Sequence, residues 1–164
     1  MADDDESGGQ PPAAPSDEDV AKLEEVMGKL RGLLEPSLEP GERIEAVAMG
    51  MRPRLMRSTM NAVAITEGRL LLQPAGPDWT PIGDVVAYRP EEIAAFTYSL
   101  GEDNFRNRAL QTRSTVIDLV PAAGRKFRLV MMRGGASFFG RHGEQAQADE
   151  IAAIIAWLES RVGS

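Results

Sequence analysis

Cysteine is absent from the 164 residues, and histidine occurs once. The first absence excludes disulfides, zinc–thiolate and iron–sulfur sites and thiol nucleophiles; the second leaves too few ligands for a transition-metal centre. Long apolar runs are also missing. Runs such as Arg69-Leu-Leu-Leu-Gln73 and Ile151-Ala-Ala-Ile-Ile-Ala-Trp-Leu158 fall far short of the roughly 20 residues that span a bilayer. The N-terminus is acidic where a signal peptide is basic. The chain therefore reads as soluble, unexported and cytoplasmic. Catalytic arrangements are lacking too. Glu91 and Glu92 are adjacent and so diverge on a strand or a helix. His142, among Gly140, Arg141 and Gly143, suits the start of a helix better than a base. Arg133-Gly-Gly-Ala-Ser-Phe-Phe-Gly140 matches neither a P-loop nor a dinucleotide fingerprint. No enzyme, cofactor or metal is expected.

What the sequence does have is segregated charge. The net charge is -7, from 25 acidic and 18 basic residues. Seven of the acids, Asp3 to Glu6 and Asp17 to Asp19, precede the first basic residue, so the rest of the chain is neutral. Between Glu42 and Arg141 there are 10 acidic and 14 basic residues. Arginine dominates the cations, which a GC-rich genome explains as readily as selection for guanidinium chemistry.

Residues 1–15 combine acids with Gly8, Gly9, Pro11, Pro12 and Pro15 and hold no large apolar residue after Met1. Such a segment cannot bury enough surface to offset its ordering entropy and is expected to be disordered. Residues 16–36 form an amphipathic helix: Ser16 is the N-cap, Asp19 lies three residues on, and Pro36 stops it. Val20, Leu23, Met27, Leu30 and Leu34 make its apolar stripe, which either docks on the rest of the chain or forms a dimer seam.

From Gly41 the period shortens to two. Strands are expected near Arg43 to Met51, Thr59 to Thr66, Arg69 to Gln73, Asp84 to Tyr88, Ala94 to Leu100, Ser114 to Val120 and Lys126 to Met132. Glu67-Gly68 fits a tight hairpin. Pro74, Gly76, Pro77 and Pro81 punctuate the next connection, and Ala123-Gly124 the last. A closing helix from about Glu144 to Val162 carries Ala148, Ile151, Ile154, Ile155, Leu158 and Val162 on one face. Trp157 falls off the centre of that arc and is expected to be partly exposed or to touch the N-terminal helix or a partner. The fold class is mainly β: an antiparallel barrel of about seven strands capped by a C-terminal helix, spanning residues 38–162.

Three stretches resemble the bacterial pleckstrin-homology-like family: Leu38-Glu-Pro-Gly-Glu-Arg43, Val63-Ala-Ile-Thr-Glu-Gly-Arg-Leu-Leu-Leu72, and Tyr88 through Ile93. Gly68 departs from the more usual polar or basic residue. The resemblance implies a non-catalytic interaction or scaffolding module that recognises lipid headgroups, peptides or copies of itself.

The most suggestive cationic cluster is Met51-Arg-Pro-Arg-Leu-Met-Arg-Ser-Thr59, which sets Arg52, Arg54 and Arg57 beside Leu55 and Met56 on the connection between the first two strands. Guanidinium forks suit phosphate oxygens, and the neighbouring apolar side chains suit an interface. In lipid-binding members of the superfold the same loop holds the headgroup, although the lysine usual at the end of the first strand is missing here. Arg69, Arg106 and Arg108 are further candidates, with solvated or internally paired arginines as the alternative. Asn104-Phe-Arg-Asn-Arg-Ala109 has one aromatic residue, which makes no stacking platform, and nucleic acid is not an expected partner. Two readings follow: protein contacts or self-association through the N-terminal stripe and barrel edges, or binding to an anionic membrane surface through the first loop. The acidic tail could mask that loop.

Overall fold

The structure, a computed structural model, describes residues 16–100, 114–132 and 143–162. The expected disorder of residues 1–15 and the candidates Arg106 and Arg108 lie outside them.

Helix α1 (Asp17–Leu34) begins where the Ser16 side chain accepts the Asp19 N–H at 3.2 Å, meeting one of the four orphan donors of the first turn. A short 3-10 turn, Glu35–Ser37, ends it at Pro36. Seven strands follow: β1 (Ala46–Arg52), β2 (Thr59–Ile65), β3 (Leu70–Ala75), β4 (Val86–Tyr88), β5 (Ile93–Leu100), β6 (Ser114–Pro121) and β7 (Phe127–Met132), and helix α2 (Gly143–Arg161) closes the order. The strands form one antiparallel sheet in the order β4-β3-β2-β1-β7-β6-β5. Seven strands and a closing helix match the expected architecture, with strand ends moved by a few residues. β3 continues through Pro74 to Ala75. The Pro74 carbonyl accepts the Ile82 N–H at 2.8 Å, past the point where β4 pairing stops, so the missing proline donor leaves no ladder rung unmade.

The sheet is buried on both faces in its first half. On the concave side, Ala46, Ala48, Val63, Ile65, Leu70 and Leu72 join Ile117, Leu119, Leu129 and Met131 around Ile151, Ile154 and Leu158 of α2. On the outer side, Val47, Met49, Ala62, Ala64 and Leu71 are covered by Val26, Leu30 and Leu34 of α1. β1, β2 and β3 are therefore apolar at consecutive positions, where a half-solvated strand would alternate. The α1 stripe docks on the sheet, but it is rotated from the expected one: Val26 is buried and Val20 is 41% exposed.

Trp157 corrects the reading of α2. It is 5% exposed and belongs to the core, so it is neither a surface residue nor an interface anchor. The buried face of the helix includes Gln147, and its centre lies on the Trp157 side of the apolar arc. The cause is visible at β1, which pairs with β7 only at Gly50 and Met51. Beyond that point α2 supplies the partners: the Gln147 amide donates to the Met49 carbonyl at 3.1 Å, and the Glu150 carboxylate accepts the Val47 N–H at 2.6 Å. Where β1 and β7 do meet, Gly50 leaves room for the Met131 side chain. A Cβ there would come within 2.7 Å of the Met131 sulfur and 3.1 Å of Val63.

A cleft between the β1–β2 and β3–β4 loops

The sheet register fixes where the candidate arginines sit. Arg52 pairs with Thr59 at one end of the β1–β2 ladder, and Ala46 with Ile65 at the other. Arg69 follows the β2–β3 turn at the second end, about 20 Å from the first along strands rising ~3.3 Å per residue. Arg52, Arg54 and Arg57 share one cleft of about 640 Å³. Arg69 is not part of it.

Arg69 is committed elsewhere. Its Nε donates to Glu42 Oε1 at 2.9 Å, its Nη2 donates to Glu42 Oε2, and Nη2 also reaches the Ser37 carbonyl at 3.1 Å. The Thr66 hydroxyl donates to Glu42 Oε1 at 2.6 Å and accepts the Arg69 N–H at 3.0 Å. The Arg69 guanidinium, aided by Thr66 and the Glu39 N–H, holds the Glu42 carboxyl down at about 2, from an ordinary value of 4.5. Glu42 and Arg69 side chains are only 12% and 14% exposed. Arg69 is thus a fastener between the lead-in to β1 and the β2–β3 turn, with its Nε and Nη2 donors taken up there.

The three arginines of the cleft differ from one another. Arg52, the last residue of β1, lies over the Phe127 ring at 4.5 Å from its centroid, a cation–π geometry that holds the guanidinium at the barrel mouth. Arg54 and Arg57 are exposed, and no ion pair to either is present among the described residues. Between them Leu55 and Met56 are 103% and 92% exposed, the most exposed large apolar side chains of the described residues. Solvent-facing Leu and Met with unpaired arginines on either side form an amphipathic tip.

Below the tip the cleft is apolar. Met49, Met51 and Met60 line its floor, with Trp79 and Ile82 from the β3–β4 connection. That connection is tightly made: the Trp79 N–H donates to the Gly76 carbonyl at 3.0 Å and the Gly76 N–H to the Thr80 carbonyl at 2.8 Å, while Asp78 Oδ1 accepts the Thr80 N–H at 3.3 Å. Trp79 has φ of 63°, the one non-glycine residue with positive φ among those described. A left-handed conformation costs a side-chain-bearing residue about 1–2 kcal/mol and is ordinarily filled by glycine. Here the turn hydrogen bonds hold it, and the indole is half-buried against the outer cluster beside α1. Trp79 and Ile82 were missed in the sequence, where Pro74 to Pro81 reads as punctuation; a lone tryptophan inside so turn-rich a stretch was the available signal.

No family model matches the sequence, and no curated protein does. Some solved structures are similar. The C-terminal domain of an unknown protein from Leishmania infantum is 14% identical over 81% of this chain and 98% of that chain, with a TM-score of 0.47. A pleckstrin homology domain from Shewanella amazonensis is 14% identical over 82% and 96%, at 0.44. The hSac2 domain from the human phosphoinositide phosphatase Sac2 is 11% identical over 92% and 88%, at 0.49. At such identities no functional property carries across. Among the described residues no helix is long and apolar enough to cross a membrane.

Proposed function

We propose that the protein is a non-catalytic binding module whose β1–β2 loop engages an anionic phospholipid surface. The observation that carries this is the loop tip: Leu55 and Met56 at 103% and 92% exposure, set between the exposed Arg54 and Arg57. An apolar pair in water gains nothing by standing free, whereas at a bilayer interface it enters the headgroup–acyl boundary while the guanidinium forks meet phosphate oxygens. Arg52 backs the loop from the barrel mouth. Arg69 has no part in it.

Co-sedimentation with phosphatidylcholine vesicles, with and without an anionic lipid and at two salt concentrations, tests the reading. Binding should require the anionic lipid and weaken with salt. Each arginine near such a surface is worth about 1 kcal/mol, so reversing Arg54 and Arg57 to Glu together should weaken binding at least about 30-fold. Equal binding of wild type and double variant would sink the proposal.

Self-association is favoured by a different feature. Among the described residues no strand pairs with the outer edge of β5, and its eight residues, Ile93 to Leu100, include no charge and no proline. Natural edges are normally guarded by one or the other. The α1 stripe, by contrast, is spent on the sheet. Light scattering should show a dimer that Thr97→Lys dissolves; a monomer at all concentrations removes this reading.

A further inference from the structure

The floor of the cleft is not needed for binding at the loop tip, and its chemistry differs. The tip is an edge pointing into solvent; the floor is a concave apolar surface built from Met51, Met60, Trp79 and Ile82. Unbranched thioether side chains adapt to an irregular chain-shaped guest. Among the described residues no acid lines the cleft, and its cationic rim, Arg54 and Arg57 with Arg52 behind, lies on one side only. Trp79 supplies the second observation. Glycine or asparagine would close the same turn without strain, yet the position holds the bulkiest side chain available and keeps its backbone at φ of 63°. Strain of this sort persists where the surroundings hold it and collects at ligand sites.

We infer that the cleft is a binding site for a single-chain anionic amphiphile. The aliphatic chain lies along Met51, Met60, Trp79 and Ile82, and the anionic head sits between Arg54 and Arg57. A phosphate monoester and a carboxylate share the head chemistry required. One cleft of about 640 Å³ holds one such molecule, free of any bilayer, so the site goes beyond binding to a membrane surface.

Trp79 makes the test direct, because the chain has two tryptophans and the other, Trp157, is buried in the core. The full chain is titrated with dodecyl phosphate, dodecanoate, dodecylphosphocholine and inorganic phosphate, each below its micelle concentration, and the affinity and stoichiometry are read by calorimetry. Tryptophan emission is followed in wild type and in Trp79→Phe, where Trp157 reports that the fold is kept. Dodecyl phosphate and dodecanoate are expected to bind one per chain and shift the emission of wild type but not of Trp79→Phe. Dodecylphosphocholine should bind at least tenfold more weakly, inorganic phosphate should produce no shift, and Arg54→Glu with Arg57→Glu should lose tenfold or more toward dodecyl phosphate. The inference is overturned if the zwitterionic and anionic chains bind alike, if inorganic phosphate binds as tightly as dodecyl phosphate, if no probe shifts the emission, or if the shift follows protein rather than probe concentration, which marks an interface between copies. No vesicle is present, so failure here leaves the membrane reading standing, and failure of vesicle binding leaves this site standing.

Discussion

Arg69 meets Glu42 across 27 positions of chain in a two-pronged ion pair, Nε to Oε1 at 2.9 Å and Nη2 to Oε2. The stretches that carry the pleckstrin-homology-like resemblance at its start and centre, Leu38 to Arg43 and Val63 to Leu72, are joined by this contact. In this chain, a carboxylate in the lead-in to β1 and an arginine after the next hairpin turn therefore fasten the sheet at one end.

The pair makes stability depend on acid. The Glu42 carboxyl sits at about 2 when folded, against an ordinary 4.5, so the unfolded chain takes up a proton first as pH falls. The contribution is complete above about pH 4.5 and is lost as pH drops toward 2. Allowing for the water that still reaches the pair, it is worth about 2 kcal/mol. Glu42→Gln should lose that much in urea unfolding at pH 7, and the gap to wild type should narrow below about pH 4.5 and close only as pH falls to about 2. A gap of constant size across the range would show that the charge is not its source.

Docking of α1 is expected to be a large term in the stability of a single chain. Leu30 is fully buried, and Leu30→Ala should cost about 2–4 kcal/mol. Val20→Ala, at a position 41% exposed, should cost under about 0.5 kcal/mol. The unfolding midpoint of both should be independent of protein concentration; a midpoint that rises with concentration would return α1 to the role of a dimer seam.

Helix α2 should protect the edge of β1. Gln147→Leu leaves the buried Met49 carbonyl without its 3.1 Å partner and should cost about 1–3 kcal/mol. Glu150→Ala removes the acceptor of the Val47 N–H. Amide hydrogen exchange at Val47 should then quicken well beyond any global loss of stability, and an unchanged rate would mean that the bond does not protect the strand.

Removing residues 1–15 takes away four acidic residues, Asp3 to Glu6, and should tighten binding to anionic vesicles if the tail competes for the arginine loop. Vesicle affinity measured for the two lengths decides it, and equal affinity ends the masking role.

Much of the architecture was legible because its signals are local: Ser16 as a cap, Glu67-Gly68 as a hairpin, and strand-length apolar segments between turn residues. What escaped notice depends on distant partners. An arginine is the same letter whether paired or free, so Arg69 stood among the candidates until Glu42 was found beside it. Gln147 reads as a surface residue and is buried because a strand edge needs its amide; that need turns α2 and carries Trp157 inward. The cleft was half legible. Its charged rim is contiguous in sequence, whereas its floor is assembled from β1, β2 and a turn some twenty residues further on.

Gln147 and Glu150 also set an order in time. β1 is made early, yet two of its edge groups find their partners about a hundred residues later. Until α2 leaves the ribosome, that edge is an open template within a sheet already apolar on both sides, able to pair with a neighbouring nascent chain. Completion of α2 is therefore the step that closes this edge of β1 to neighbouring nascent chains.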